Sequence, residues 1–325
     1  MCLIGDIGGT NARFALVEEG SYMPQHERTL ACANYRSLVD AVLAYLDDVS
    51  QTMPEAASLA IATPVSNDRI VMTNHTWDLS VEDTRKALGL ESLKVLNDYT
   101  ALALALPYLC KDDYHQVGRG KAVEKQTMAV LGPGTGLGVS GAICAGDYWL
   151  PLQSEGGHIA YGPLNERETA VIDVIRQHHN FVSAESLVSG PGLVLLYESI
   201  AKCDGVNHEL LSPEQVTNKA LKGIDASAAE AVAMFCGILG AIAGNLALTL
   251  GARGGVFVGG GIVPRLGEYF TRSSFRARFE NNSRFGQYLA EIPTYVICSK
   301  YPALIGAAIA VKQQYGHLGV NSVSH

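Results

Sequence analysis

Two segments of this chain share one pattern, in which a turn rich in glycine separates two apolar runs. The first is "LIGDIGGTNARFALV", residues 3–17, and the second is "MAVLGPGTGLGVSGAIC", residues 128–144. Each pattern predicts a β-hairpin. A hairpin needs only one or two conformationally permissive residues in its turn, so these turns hold more glycine than turning requires. The additional glycines indicate that both turns have a function beyond reversing the direction of the chain.

The segments that follow the first hairpin alternate between strand and helix patterns. "ASLAIATPV" is typical of a buried strand, and "SLVDAVLAYLDDV" and "SVEDTRKALGL" are typical of amphipathic helices. Such alternation predicts an α/β fold with helices on the faces of a sheet. Because the second hairpin begins the pattern again, we expect two domains: a small α/β domain of residues 1–107 plus 300–325, and a large α/β domain of residues 108–299.

One long apolar segment raises the question of a membrane. "AVAMFCGILGAIAGNLALTLGA", residues 231–252, is long enough to span a bilayer. It is rich in alanine and glycine, however, contains Asn245 and Thr249, and has no Lys or Arg flanking its start. We therefore predict a helix buried in a large core, and no association with a membrane.

The composition narrows the range of partners and compartments. The 325 residues carry a formal net charge of −8 with no basic cluster, which argues against a nucleic-acid partner. The seven cysteines are scattered and never spaced as C-x-x-C, so we expect reduced thiols rather than a disulfide framework or a zinc site. No basic segment precedes an apolar signal region at the start, and we expect a cytoplasmic protein.

Glycine turns suit phosphate binding because no Cβ keeps the backbone N–H groups away from the oxygens. In the first turn Thr10 adds a hydroxyl donor, and Asp6 is placed to hold Mg²⁺ directly or through water. A third glycine run, Gly259 to Gly261, follows another apolar run. Nothing in the chain fits the Walker pattern G-x-x-x-x-G-K-[ST]. Together the turns predict a nucleoside triphosphate site of another kind.

Seven short motifs occur in an order that closely resembles the bacterial glucokinases, which are ATP-dependent hexokinases. The motifs are "GDIGGTNARFAL", "TNHTW", "NDYTALALALP", "GPGTGLGV", "SEGGHIAYGP", "AESLVSGPGL" and "GGVFVGGGIVPR", and the resemblance covers residues 3 to about 318. It implies a two-domain actin-like ATPase fold, which is ribonuclease H-like, with a cleft between the small and the large domain. It also implies phosphorylation of D-glucose at the 6-hydroxyl by ATP with Mg²⁺, and a homodimer.

The resemblance assigns Asp98, in "LNDYT", as the general base that accepts the proton of the attacking hydroxyl. From the residues alone, Asp98 is equally an N-cap of the helix that follows the strand. The sugar contacts that the resemblance implies are polar groups suited to hydroxyls, namely Asn97, Asp98, Glu155, His158 and Glu185. Without it, Glu155-x-x-His158 also fits a surface hydrogen bond or a metal pair, and Glu185 fits a solvated residue in a first helical turn.

The nucleotide contacts that the resemblance implies come from all three glycine turns. They are Asp6 for Mg²⁺ through water, and for ATP they are Gly8, Gly9, Thr10, Asn11, Gly134, Thr135, Gly136, Gly260 and Gly261. Gly260 and Gly261 are expected beside the adenosine. Pro133 departs from the small residue expected in the second turn. Because proline has no N–H, amide contacts there are expected from Gly134, Thr135 and Gly136.

Three alternatives stay open. A kinase of the wider repressor, open-reading-frame and kinase family acting on fructose, mannose or an amino sugar commonly carries a cysteine-rich zinc motif after its histidine, and "HIAYGPLNERETA" contains no cysteine. A sugar-responsive regulator of transcription is expected to carry a helix-turn-helix domain, whereas this chain opens on the first glycine turn. A non-sugar, actin-like ATPase has no use for the set of Asn97, Asp98, Glu155, His158 and Glu185.

Overall fold

The computed structural model describes residues 1–18, 20–65, 67–72 and 75–320, with side chains described as far as residue 313. Residues 321–325 of the predicted small domain lie outside the described residues. The chain forms two compact units. Unit 1 comprises Met1–Leu109, Ala145–Gln153 and Ser299–His325, and unit 2 comprises Cys110–Cys144 and Ser154–Cys298.

Strands and helices alternate along the chain, as expected of an α/β fold. The strands are β1 (Cys2–Ile7), β2 (Asn11–Val17), β3 (Gln25–Ala31), β4 (Ala56–Ile61), β5 (Arg69–Val71), β6 (Asp78–Ser80), β7 (Ser92–Asn97), β8 (Tyr114–Val117), β9 (Met128–Pro133), β10 (Leu137–Ala145), β11 (Tyr148–Leu152), β12 (Gly255–Val258) and β13 (Thr294–Ile297). The helices are α1 (Leu38–Asp48), α2 (Val81–Ala87), α3 (Asp98–Ala105), α4 (Glu166–Arg176), α5 (Ala184–Leu187), α6 (Gly190–Cys203), α7 (Pro213–Leu221), α8 (Ala226–Leu250), α9 (Ile262–Leu266), α10 (Glu268–Arg272), α11 (Phe275–Phe279), α12 (Gly286–Glu291) and α13 (Pro302–Val320).

Unit 1 is built on a mixed sheet with the strand order β3-β2-β1-β4-β7. β1 and β2 form the first predicted hairpin, while β1, β4 and β7 run parallel to one another. Ile7, Ile61 and Asn97 are in register across the three parallel strands, so the carboxyl ends of these strands meet at one edge. The first glycine turn and the Asn97-Asp98 pair therefore lie along the edge at which α/β proteins commonly bind ligands.

Apolar side chains cover both faces of this sheet. On one face Tyr45 of α1 shares a core with Leu3 and Leu59, and on the other Leu304 of α13 shares a core with Ile4. The C-terminal helix thus packs in unit 1.

Contacts made by α3 and α13 explain why unit 1 includes residues 145–153. α13 lies so close to α3 that a side chain on Gly306 would overlap the Ala101 carbonyl oxygen. Gln313 of α13 donates a hydrogen bond to the Trp149 carbonyl oxygen at 3.0 Å, and β11 packs on α3. The predicted boundaries placed residues 145–153 in the large domain instead.

In unit 2 the strands β10-β9-β12-β13-β8 are hydrogen-bonded in that order. β9 and β10 form the second predicted hairpin, and β12, which leads into the third glycine run, is parallel to β9. Val258 near the end of β12 is in register with Leu131 of β9. This register brings the second and third glycine turns together at one edge of the sheet.

The long apolar segment forms α8, the core helix of unit 2. Asp225 caps the start of α8 by accepting a hydrogen bond from the Ala228 N–H, and Gly251 ends it in the left-handed conformation, with φ 61°. The helix is long and apolar enough to cross a membrane, but 78% of its apolar 18-residue stretch is buried inside the protein. This burial agrees with the predicted core helix.

Candidate active site

The first glycine turn joins β1 to β2 and is closed by its own backbone. The Gly8 N–H donates to the Asn11 carbonyl oxygen at 2.9 Å, and the Thr10 carbonyl oxygen accepts from the Cys32 N–H at 2.9 Å. Thr10 is exposed at the tip. Because the Gly8 amide is used within the turn, the amides of Gly9 and Thr10 are better placed to meet a phosphate.

Asp6 lies near the end of β1, where the hairpin register places Arg13 directly opposite. Arg13 Nη1 donates to Asp6 Oδ2 at 3.0 Å, and the guanidinium also lies 5.7 Å from the centre of the Tyr301 ring. Burial raises the pKa of Asp6, and the charge of Arg13 opposes that rise. The ion pair therefore helps to keep a partly buried acid ionised beside the glycine turn.

The surroundings of Asp6 fit the way in which Mg²⁺ is held by nucleotide-binding enzymes. One or two carboxylates, the substrate phosphates and several waters usually share the coordination. Asp6 supplies one carboxylate, 18% exposed, and Arg13 binds its Oδ2 rather than its Oδ1. Among the residues that the structure describes, no group of three His, Cys, Asp or Glu side chains could hold a metal alone. Mg²⁺ at Asp6 would therefore need the phosphates of a nucleotide.

Asn97, not Asp98, caps helix α3. Asn97 Oδ1 accepts hydrogen bonds from the N–H groups of Tyr99 at 3.0 Å and Thr100 at 3.2 Å. Its Nδ2 donates to Asp98 Oδ1 at 2.9 Å and to the Thr63 carbonyl oxygen at 3.3 Å. The reading of Asp98 as an N-cap is therefore wrong, and the Asp98 carboxyl group is left for another purpose.

The Asp98 carboxyl group is partly buried and oriented. Burial raises the pKa of Asp98 to about 6, and the charge of Asp6 adds to the rise. The Tyr99 N–H and the Asn97 amide, each 2.9 Å from Asp98 Oδ1, act in the opposite direction. A general base works best when its pKa lies near the operating pH. Asp98 meets this condition at neutral pH.

The second glycine turn joins β9 to β10 and closes in a similar way to the first. The Gly134 N–H donates to the Gly136 carbonyl oxygen at 2.8 Å, and the Gly134 carbonyl oxygen accepts from the Gly190 N–H, at the start of α6, at 2.8 Å. Thr135 is exposed at the tip and lines a cavity of about 390 Å³ together with Glu185. The amides of Thr135 and Gly136 are better placed than that of Gly134 to meet a phosphate.

The predicted sugar contacts of unit 2 meet around one isolated antiparallel β-bridge, between Ala160 and Ser183. The Ala184 N–H donates to the Ile159 carbonyl oxygen at 2.8 Å, which ties the turn containing Glu155 and His158 to the start of α5. His158 Nδ1 lies 3.9 Å from Glu185 Oε1, and His158 Nε2 lies 3.9 Å from Glu155 Oε2. These distances are too long for hydrogen bonds. Both His158 and Glu155 are more than half exposed, so their polar atoms are available to a ligand.

The third glycine run lies against the second glycine turn. The Gly259 N–H donates to the Leu131 carbonyl oxygen at 2.8 Å. Gly260 has φ 79°, and a side chain there would overlap the Pro133 carbonyl oxygen. Gly261 precedes α9, and a cavity of about 410 Å³ between α6, α7 and α9 begins at the next residue. Its volume is in the range of small-molecule sites.

The structure brings the predicted site residues together in two groups, one in each unit. The group of unit 1 is Asp6, Gly8, Gly9, Thr10, Asn11, Asn97 and Asp98. The group of unit 2 is Gly134, Thr135, Gly136, Glu155, His158, Glu185, Gly260 and Gly261. Arg13, which contacts Asp6, and Thr63, which contacts Asn97, were not predicted from the sequence. Arg13 had a signal, because a hairpin that turns at residues 8–10 sets residue 13 opposite Asp6, whereas Thr63 reaches Asn97 only through tertiary structure.

Comparison with solved structures defines the class of protein. A glucokinase from an Antarctic psychrotroph superposes with a TM-score of 0.88 at 34% identity, over 96% of this chain and 98% of that one. A ROK family glucokinase from Streptomyces griseus, in complex with glucose and AMPPNP, gives a TM-score of 0.62 at 19% identity over 96% and 99% of the two chains, which concerns the fold alone. The fold is that of the α/β sugar kinases.

Comparison of sequences defines the family. The family model for glucokinase matches residues 3–314. The glucokinase of Aromatoleum aromaticum is 48% identical over 310 residues, which are 95% of this chain and 94% of that protein. A bifunctional protein of Burkholderia thailandensis is 48% identical over 314 residues, 96% of this chain, and this chain spans 48% of its length. The chain belongs to the glucokinase family.

Proposed function

We propose that this protein transfers the γ-phosphoryl group of ATP to the 6-hydroxyl of D-glucose, giving glucose 6-phosphate and ADP. The observation that carries the proposal is the Asp98 carboxyl group, which two hydrogen bonds orient and whose pKa burial raises to about 6. A carboxylate held in this way suits the acceptance of a proton from a sugar hydroxyl. Membership of the glucokinase family supports glucose as the sugar and ATP as the donor.

Asp98 acts as the general base in the proposed reaction. It accepts the proton of the 6-hydroxyl while the sugar oxygen forms a bond to the γ-phosphorus. The bond between that phosphorus and the bridging oxygen breaks, and ADP leaves with the electron pair. Asp6 holds Mg²⁺ directly or through water, and the cation, when bound, supplies neutralising charge to the phosphate oxygens.

Asn97, Glu155, His158 and Glu185 bind the sugar in this proposal. Carboxylates and an imidazole offer the directional acceptors and donors that neighbouring hydroxyl groups require, and the half-exposed cluster around His158 supports the assignment. Both polar atoms of the Asn97 side chain are already hydrogen-bonded. We therefore assign Asn97 a second role, which is to orient the Asp98 carboxylate.

The three glycine turns bind ATP in this proposal. Thr10 and Thr135 mark the exposed tips of two turns. The amides at those tips bind the phosphates, and Gly8, Asn11 and Gly134 shape the turns through their own backbone hydrogen bonds. Gly260 and Gly261 lie beside the adenosine, which would use the cavity between α6, α7 and α9. The actin-like arrangement of a small and a large domain around a cleft is part of the same proposal.

The proposed setting is the cytoplasm, with sugar and ATP as the small-molecule partners, no nucleic acid, no membrane, and a homodimer as the assembly. The seven cysteines, all within the described residues, are thiols rather than disulfides, which supports a reducing compartment. Light scattering after size exclusion tests the assembly, since a homodimer has twice the 34.6 kDa of one chain.

An assay coupled to the release of ADP tests the function for each sugar, and formation of glucose 6-phosphate is measured alongside with glucose. With Mg-ATP we expect turnover on glucose, and a higher kcat/KM for glucose than for fructose, mannose or N-acetylglucosamine. The matched control is release of ADP without sugar, which we expect to be a small fraction of the kinase rate. Turnover on another hexose alone would favour a related sugar kinase. Release of ADP that is equally fast without sugar would favour a non-sugar ATPase.

A further inference from the structure

Leu137 lies between the second glycine turn and the group of Glu155, His158 and Glu185, which we call the sugar cluster. The Leu137 N–H donates to Glu185 Oε2 at 2.8 Å. On the other side, a side chain on Gly157, in the turn that carries His158, would overlap the Leu137 carbonyl oxygen. The preceding residue, Gly136, faces Glu185 as well: a Cβ at Gly136 would lie 2.5 Å from Glu185 Oε2 and 3.2 Å from Cδ. The Glu185 carboxylate therefore occupies the space of a missing side chain.

Backbone conformation does not explain why residue 136 is glycine. Gly136 is outside the set of glycines with positive φ, so its conformation is open to residues with a side chain. The three heavy atoms nearest to a Cβ at this position all belong to the carboxyl group of Glu185. An alanine at position 136 would therefore displace a flexible side chain and leave the backbone in place.

The position of the Glu185 carboxylate determines where the sugar cluster places a hydrogen-bond acceptor for a ligand. The Leu137 N–H fixes Oε2, and Oε1 is thereby turned toward His158 Nδ1, 3.9 Å away. The Glu185 side chain is 33% exposed, so Oε1 has room to accept a hydroxyl. A displaced carboxylate loses the hydrogen bond to Leu137 and moves the acceptor that faces the ligand.

We propose that Gly136 is a positioning residue for sugar binding, which acts by leaving space for the Glu185 carboxylate. The inference rests on the proposed function, in which Glu185 contacts the sugar. Gly136 belongs to a turn expected to bind phosphate, yet its substitution impairs the binding of glucose more than the binding of ATP.

The test is the Gly136→Ala variant of the full chain. Glucose Kd is measured by calorimetry without nucleotide, and KM is measured for glucose and for Mg-ATP with the other substrate saturating. We expect glucose Kd and KM to rise about tenfold or more, as for the loss of a hydrogen bond to a charged group. We expect KM for Mg-ATP to change less than about threefold, and the unfolding midpoint to stay close to that of the wild type.

Two other glycines supply matched controls. A Cβ at Gly134, in the same turn, would meet no heavy atom within 4 Å, and the same is true at Gly162, outside the turn. Gly134→Ala should therefore leave glucose Kd unchanged, whatever it does to the KM for Mg-ATP. Gly162→Ala should leave all three constants unchanged, which controls for the substitution of glycine as such.

The outcomes separate this inference from the proposed function. If wild type binds glucose and Gly136→Ala binds it equally well, or if only the KM for Mg-ATP rises, Gly136 does not position the sugar site. A wild type that binds no glucose would overturn the proposed function, and this inference with it. Loss of glucose affinity in Gly136→Ala alone, with a normal unfolding midpoint, is the supporting result.

Discussion

At the residue scale, the proposed chemistry depends on the surroundings of one carboxyl group. Asp98, the first residue of α3, is partly buried, and the charge of Asp6 lies in the same part of unit 1. Both effects favour the protonated form. Two N–H donors on Oδ1 hold the carboxylate in one orientation despite this cost. The result is a base that is both stronger than an ordinary aspartate and fixed in direction.

The reaction should therefore depend on pH near the pKa of Asp98. Only the ionised carboxylate accepts a proton, so we expect kcat/KM for glucose to fall as the pH drops through about 6. Initial rates at constant ionic strength, from acid to neutral pH, would measure the effect. An acid limb near 3.8, the ordinary pKa of aspartate, would show that burial does not tune this group.

Local sequence could not decide between the two readings of Asp98. Asn and Asp are both favoured N-cap residues, and "ND" at the junction of β7 and α3 contains one of each. The structure assigns the cap to Asn97 because its Oδ1 reaches the Tyr99 and Thr100 amides. The carbonyl oxygen of Thr63 that holds the Asn97 amide comes from a distant part of the chain. Sequence spacing alone does not predict the contact between Asn97 and Thr63.

At the element scale, a face of glycines on α8 lets another helix approach. A side chain on Gly240 would overlap the Phe275 carbonyl oxygen, and a side chain on Gly244 would overlap the Phe279 carbonyl oxygen. Both oxygens belong to the backbone of α11, which cannot move aside as a flexible side chain can. The glycines are therefore required by the close contact of two helices, although glycine weakens a helix on its own.

Alanine at position 240 should destabilise unit 2. The added methyl group meets backbone atoms, and overpacking of this kind typically costs about 1–3 kcal/mol. Gly237→Ala is the matched control, because its Cβ would lie 3.0 Å from the hydroxyl oxygen of Ser274, which can rotate away, and the gain in helix propensity is about 1 kcal/mol. Equal losses in the free energy of unfolding of the two variants, measured in urea, would contradict this packing.

The elements with a strong periodic pattern were the predictable ones. Both hairpins, α1, α2, α6 and α8 follow from apolar spacing, caps and glycine turns. The strands β8 and β13, four residues each, and the short helices α9 to α12 were missed. Segments of four to six residues are too short to display a period. These elements are specified by packing against their neighbours rather than by a pattern of their own.

At the scale of the whole molecule, the two units are not continuous in sequence. Unit 1 includes α13 and residues 145–153, which come from later parts of the chain. The apolar sequence of α13 indicates that this helix covers a core, whereas its place in unit 1 depends on contacts with β1 and β4. The assignment of residues 145–153 was not predictable, since it depends on the packing of β11 on α3 and on the bond from Gln313 to Trp149.

Removal of divalent cations should stop the reaction without unfolding the protein. The described residues contain no cluster that could hold a metal alone, so we expect Mg²⁺ to be bound together with the nucleotide. Addition of EDTA is expected to abolish turnover, and excess Mg²⁺ to restore it, while the unfolding midpoint without ATP stays the same. A large fall in that midpoint with EDTA would instead indicate a structural metal.

The role of Asp98 is tested most sharply by the initial rate of glucose 6-phosphate formation by wild type and by Asp98→Asn. Asparagine keeps the shape of the side chain and an oxygen that can accept from Tyr99, but it cannot take up a proton. We predict turnover by wild type and a loss of roughly 10²-fold to 10⁴-fold in kcat for the variant, with glucose still bound. A variant that retains most of the wild-type rate would contradict the role of Asp98, and a wild type that forms no glucose 6-phosphate would contradict the function itself.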